Sequence, residues 1–94
     1  MFPTLLDAAL DRLVVRGRLT LRHADGTLRR FGREPGPEAG FAVADAAATR
    51  RLVLNPALAF GELYMEGRVE PLEGRIGPLV ELLVLNSWGI WRHP

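Results

Sequence analysis

The run PALAFGELYMEGRVEPLEG (Pro56–Gly74) holds a helix start, an apolar helical surface, a glycine stop, a short extended piece and a second glycine turn. Asn55-Pro56 supplies the start: asparagine suits the cap, and proline fits the first helical position, where its missing N–H had no partner. Leu58, Phe60, Leu63, Tyr64 and Met65 then spread apolar surface around a helix expected over Pro56–Glu66. Gly61 in its interior costs about 1 kcal/mol against alanine and is read as either close packing or an incidental glycine. Gly67 is the stop, best placed to take the left-handed conformation that ends a helix. Met65 is expected to fill apolar space beneath that turn, and Tyr64 to keep its ring on the apolar side with its hydroxyl toward a polar partner or water. Arg68–Leu72 reads as extended, Pro71 marking an edge or a strand end, and Glu73-Gly74 turns the chain.

Beyond the turn, Ile76, Leu79, Leu82 and Leu83 begin a last helix with Pro78 in its first turn, expected to run to about Asn86. Ser87–Pro94 reads as a tail carrying Trp88 and Trp91. Indoles favour boundaries apolar at one end and wet at the other, so this pair is interfacial, against the domain's own core, a neighbouring chain or a membrane.

Upstream, Asp45 reads as the N-cap of a short helix Ala46–Leu54, and Phe41 and Val43 alternate on a strand at 39–44. Gly32–Glu38, with two glycines and two prolines, reads as a loop. Arg18-Leu19-Thr20-Leu21-Arg22 alternates with period two, as a half-buried strand does. His23-Ala24-Asp25-Gly26 turns the chain, and Thr27–Phe31 returns as the second strand of a hairpin, with Leu28 and Phe31 on opposite faces unless a bulge intervenes. Thr4 with Asp7 resembles a capping box, and Leu6, Leu10, Leu13 and Val14 recur at helical spacing, so a first helix is expected over about 4–16 with Gly17 as its stop. The order α-β-β-β-α-α-β-α does not alternate regularly. The fold class is therefore α+β, a small antiparallel or mixed sheet with helices packed on one face.

Ninety-four residues make a single domain, 1–94, with one modest core. Without cysteine there is no disulfide framework and no thiolate metal site. His23 and His93 are far apart and read as ordinary surface. Glu62, Glu66, Glu70 and Glu73 lack a histidine partner and read as a solvated face. No glycine-rich run has phosphate-loop spacing, and no nucleophile–base set is present, so neither a catalytic nor a metal residue is assigned. All twelve basic residues are arginine, which fits a GC-rich coding sequence. Residues 12–33 hold seven arginines against one aspartate, whereas 34–94 hold five against eight acids. This asymmetry predicts a basic face built from Arg18, Arg22, Arg29, Arg30 and Arg33, either plainly solvated or meeting phosphate head groups. Nucleic acid is not expected, since readers of it interleave exposed aromatics or present a recognition helix. Asp7 and Asp11 break the one apolar N-terminal run, and Leu82–Leu85 is too short to span a bilayer. A cytoplasmic protein of bacterial type is expected, peripheral on the inner membrane face if the basic side docks there.

LVLNPALAFGELYMEGRVEPLEG (Leu52–Gly74), IGPLVELLVLN (Ile76–Asn86) and GRLTLRHADGTLRRFG (Gly17–Gly32) together resemble the N-terminal region of cyclopropane-fatty-acyl-phospholipid synthases and mycolic acid cyclopropane synthases. FGELYMEGRVEPLEG also resembles the helix-turn-strand core of sterol carrier protein 2-like domains. The resemblance implies a small twisted sheet whose helices enclose an apolar groove, with Leu58, Phe60, Leu63 and Met65 lining that groove or forming core. In the family a methyltransferase domain follows, binding S-adenosylmethionine; none of its catalytic residues falls within this sequence, so no cofactor is expected here. The implied role is a non-catalytic, lipid- or membrane-facing accessory domain whose partners are an anionic phospholipid surface and a methyltransferase domain or subunit. The alternative is a structural domain for self-association or docking to a separate methyltransferase.

Overall fold

The computed structural model describes residues 1–91, and at 57 and 87–91 the backbone alone. Its elements are α1 (Phe2–Leu13), β1 (Arg16–Arg22), β2 (Leu28–Phe31), β3 (Glu34–Val43), α2 (Ala46–Leu54), α3 (Pro56–Met65), β4 (Val69–Pro71), a 3₁₀ turn (Leu72–Gly74) and α4 (Ile76–Trp91). The fold is α+β in the expected order, and its sheet is mixed, ordered β2-β1-β3-β4. β1 pairs antiparallel with β2 and parallel with β3. The parallel pair arises because β2 ends beside the start of β1, where the N–H groups of Arg33 and Glu34 both donate to Val15 O at 2.9 Å. From there the chain passes to the other side of β1 and sets off in its direction.

Period two decides which face is buried. Leu19 and Leu21 of β1, Phe31 of β2, Phe41 and Val43 of β3 and Val69 of β4 all meet one helical layer. Leu6 and Leu10, Ala48 and Leu52, Ala59 and Leu63, and Leu79 and Leu82 come down on them from α1, α2, α3 and α4. Phe60 of α3 meets Phe41 edge-on, ring centroids 5.4 Å apart. Leu28 and Phe31 do point to opposite faces, and no bulge interrupts the β1–β2 register. Asp45 caps α2, accepting from Ala48 N at 2.8 Å.

Gly67 ends α3 in the left-handed region (φ 75°). The N–H of Arg68 donates to Leu63 O at 2.8 Å and that of Gly67 to Tyr64 O at 3.1 Å, the paired bonds of a Schellman motif. Asn55 occupies the cap position of α3, yet its side chain makes no capping bond.

Several boundaries differ from expectation. α1 begins at Phe2 with Pro3 in its first turn and stops at Leu13, Val14 already being extended. Thr4 is therefore inside the helix and caps nothing. Gly17 lies within β1, where it takes φ 81° and a side chain would strike the Pro37 carbonyl; the register of β1 against β3 shifts there. β3 starts at Glu34, ahead of the expected 39, because Pro35–Pro37 runs extended beside that irregularity. β4 is shorter than Arg68–Leu72. α4 continues through Trp91, so Ser87–Trp91 is helix and not tail; residues 92–94 lie outside the described residues. Asn86, expected at the end of that helix, instead ties it to β1. Its Oδ1 accepts from Val15 N at 2.9 Å and Arg16 N at 2.8 Å, and its Nδ2 donates to Arg16 O at 2.8 Å.

Candidate functional site

With all helices on one face, the sheet keeps the other face open. The expected basic face divides across the two. Arg18, Arg22 and Arg30 stand on the open face, following the parity of Thr20 and its pairing with Arg30. Arg29 and Arg33 do not join them. Arg29 turns toward α1, Nε 3.5 Å from Asp7 Oδ2, and Arg33 lies 3.9 Å from Asp11 Oδ2. The five-arginine face is thus corrected to three. The aspartates responsible sit outside residues 12–33 and return only when α1 folds back along the hairpin. Among the described residues Arg18, Arg22 and Arg30 make no ion pair. Leu28, 49% exposed, stands beside Arg22 in register.

A hollow of about 270 Å³ opens on this face. It is lined by Arg30 of β2, Arg18 and Thr20 of β1, Glu38 and Gly40 of β3, Glu73 of the 3₁₀ turn and Arg75 just after it. The register builds it: Thr20 has Arg30 on one side and Gly40 on the other, and Arg18 faces Glu38. A Cβ on Gly40 would sit 2.5 Å from Thr20 O and 2.7 Å from Leu72 Cδ1, so the missing side chain lets the 3₁₀ turn lie against the strand. Glu73 takes φ 60°, the left-handed region, although it is not glycine. Among the described residues, none of these five charged side chains closes an ion pair or hydrogen bond.

A second charged group, at the junction of α2, α3 and β4, is closed. Arg68 Nη2 donates to Asp45 Oδ1 at 2.8 Å and Nη1 to Glu66 Oε1 at 3.1 Å. Arg51 Nη1 reaches Glu66 Oε1 at 3.2 Å, and its Nη2 reaches Glu62 Oε1 at 3.4 Å. The hydrogen bond from Arg68 holds the Asp45 carboxyl below the ordinary aspartate range, with the Ala48 N–H adding to it. Arg51 first, and Arg68 after it, hold Glu66 below the glutamate range. Glu66, read as solvated surface, is the hub of this group.

Leu58, Phe60, Leu63 and Met65 do not share a face. Leu63 is core and Phe60 packs on Phe41, but Leu58 is 59% and Met65 86% exposed. Met65 therefore fills nothing beneath the turn, and Tyr64 is partly exposed as well. The four line no common groove. Trp88 and Trp91 fall on the last turns of α4, and their side chains lie outside the described residues. His23, read as surface, is 6% exposed, with Nε2 2.7 Å from Asp7 Oδ1. Its Nδ1 has no partner, which fits an imidazole donating from Nε2. No helix among the described residues is long and apolar enough to cross a membrane, and none of their His, Asp and Glu side chains groups into a metal site.

Parity and hairpin register already place Arg18, Thr20, Arg22 and Arg30 together. Glu38, Glu73 and Arg75 reach the hollow only through the parallel strand, for which the sequence carries no local signal, and through the turn expected at Glu73-Gly74, whose packing against β3 no local pattern gives.

Residues 6–92 match the family described as Domain of unknown function (DUF7884), and the chain belongs to that family. No curated protein and no solved structure matches it.

Proposed function

For a member of the DUF7884 family built in this way, we propose a non-catalytic accessory domain that docks on an anionic phospholipid surface and serves an S-adenosylmethionine-dependent lipid methyltransferase. The observation that carries it is the trio Arg18, Arg22 and Arg30, unpaired on the open face around the exposed Leu28. The sheet face left free of helices can approach a membrane. Each arginine near an anionic leaflet contributes about 1 kcal/mol, and Leu28 can enter the boundary between head groups and acyl chains. The methyltransferase part follows from the likeness to cyclopropane-fatty-acyl-phospholipid synthases, as do the sterol carrier protein 2-like character and a cytoplasmic place on the inner membrane face. The cofactor would belong to the catalytic partner.

Co-sedimentation with neutral and anionic vesicles tests the reading. Binding is expected to the anionic vesicles and not to vesicles of phosphatidylcholine alone, to weaken with salt, and to be lost in the triple variant Arg18→Ser, Arg22→Ser, Arg30→Ser. Equal binding to both vesicle types removes the electrostatic claim.

The second reading is a docking domain. It is favoured by Leu58 and Met65, exposed two turns apart on α3, and by Leu54, exposed at the end of α2. Light scattering on the chain alone, and then with a methyltransferase of the cyclopropane synthase type, tests it. A strict monomer with no affinity for that enzyme counts against it.

A further inference from the structure

We propose that the hollow over Thr20 and Gly40 is a binding site for a phosphate ester whose other arm carries a primary ammonium, a zwitterion of the phosphoethanolamine kind. The inference deepens the membrane reading above and rests on it for the lipid as source of the ligand. The argument starts from charges that have not closed on one another. Arg18, Arg30, Arg75, Glu38 and Glu73 converge on one hollow of about 270 Å³. At the α2–α3–β4 junction a similar set is drawn into contacts of 2.8–3.4 Å. On the open face the five side chains line one hollow and form no ion pair with one another, so both signs remain available to a ligand.

Their order across the sheet gives the ligand its polarity. Arg30 of β2 and Arg18 of β1 line it on the β2 side, with Thr20, the register partner of Arg30, beside them. Two guanidinium forks and a hydroxyl are the donors that a phosphate group takes up. One strand further on, Glu38 of β3 faces Arg18, and Glu73 joins it from the turn. Neighbouring strands lie about 4.8 Å apart, which is also the reach from phosphorus to nitrogen in an extended phosphoethanolamine. A phosphate at the Arg18–Arg30 end therefore sets its ammonium between the two carboxylates. A bare phosphate would meet the same arginines but leave those carboxylates facing an anion. Gly40 lets Leu72 of the turn lie against the strand, and Glu73 lines the hollow from a backbone conformation that glycine ordinarily occupies.

The test has soluble and membrane arms. The full chain is titrated with inorganic phosphate, ethanolamine and phosphoethanolamine, and the amide resonances of Thr20 and Gly40 are followed. Vesicles of phosphatidylethanolamine in phosphatidylcholine form the second arm. Phosphoethanolamine is expected to bind about tenfold more tightly than phosphate, the increment of a charge-assisted hydrogen bond. Arg30→Gln weakens both ligands. Glu38→Gln and Glu73→Gln leave phosphate binding in place or strengthened and erase the preference. Melting midpoints of the three variants, expected near the parent's, separate loss of binding from loss of fold. Equal affinity for phosphate and phosphoethanolamine, or no movement at Thr20 and Gly40, overturns the proposal. If anionic vesicles still capture the chain in that case, the membrane reading survives without the site. If phosphoethanolamine binds while no vesicle does, the site stands with a soluble ester as its ligand, and the membrane reading falls.

Discussion

Two charged regions of this domain use the same side chains to opposite ends. At the α2–α3–β4 junction, Arg51 and Arg68 are closed upon Asp45, Glu62 and Glu66. On the open sheet face, Arg18, Arg30 and Arg75 stand near Glu38 and Glu73 without closing. Residue type does not separate the two; backbone geometry does. Gly67 reverses the chain within one residue and lays Arg68 between the Asp45 cap and Glu66, so the network joins a helix start to a helix end. On the sheet, Arg18, Arg30 and Glu38 sit on three neighbouring strands with Glu73 and Arg75 beside them, and these side chains do not meet, although Arg16 and Glu34 of the same strand pair lie 3.9 Å apart. The first arrangement serves the fold, and the second leaves charge for something outside the chain.

The strongest way to break the comparison is to remove the platform of the open region. Gly17→Ala places a side chain at φ 81° against the Pro37 carbonyl. Left-handed strain and overpacking against backbone together are expected to destabilise by about 3 kcal/mol, and chemical denaturation measures it. A variant that unfolds like the parent would mean that β1 and β3 can part there, and that the register setting Arg18 opposite Glu38 is not rigid.

Gly67→Val attacks the closed region. Space is free around Gly67, so the penalty is conformational alone, about 1–2 kcal/mol for a β-branched residue in the left-handed region. Thermal midpoint and ligand binding should diverge: the midpoint drops, while Thr20 and Gly40 still respond to phosphoethanolamine at temperatures where the variant is folded. An unchanged midpoint would mean that α3 can end elsewhere and that the junction does not depend on this turn.

The parts of the comparison that could be read in the sequence are the local ones. Gly67 as a helix stop, Asp45 as a cap and the alternation of Arg18–Arg22 all act within a few residues, where backbone chemistry determines the outcome. The same kind of signal misled at Gly17, because a glycine after an apolar helical run fits both a helix stop and a close strand crossing. Period two says which face a side chain takes but not which strand lies beside it, so the parallel β1–β3 pair and the contribution of Glu38 were hidden. Likewise Asp7 neutralises Arg29 and bonds His23 from a different element, and Asn86 reaches Val15 and Arg16 from the last helix. These partners are chosen by packing at long sequence separation, so a basic segment of five arginines became a basic face of three.

The closed region should also show itself in acid. The Asp45 and Glu66 carboxyls lie below their ordinary values in the folded chain, held there chiefly by Arg68 and Arg51. Depressed folded values mean that the stabilisation is fully present above the unfolded values near about 4 and is lost as pH falls through the folded ones. Melting midpoints measured down the acid limb should therefore fall less steeply in Glu66→Gln than in the parent. Because every member of the group keeps contact with solvent, the change at neutral pH is small. A parallel pair of curves would show that the contacts around Glu66 are not populated in solution.

The smallest effect is the one that sharpens the contrast most, and it lies at Glu73. This residue holds φ 60°, where a side chain costs about 1 kcal/mol that glycine avoids. Glycine in turn loses more chain entropy on folding, by about 0.5–1 kcal/mol. Glu73→Gly is therefore expected to be neutral or to raise stability by about 0.5 kcal/mol, a few degrees at most in a domain of this size. Glu73→Gln keeps the strain and the shape and removes only the charge, so its midpoint should match the parent's. Both variants should lose the preference for the ammonium-bearing ester, one with the backbone relaxed and the other without. That pattern would mean that the left-handed glutamate serves the hollow and not the fold. A midpoint that drops in both variants would mean that the Glu73 carboxylate already stabilises the native chain. The open region would then be a second closed network, and the distinction between the two regions would fail at this residue.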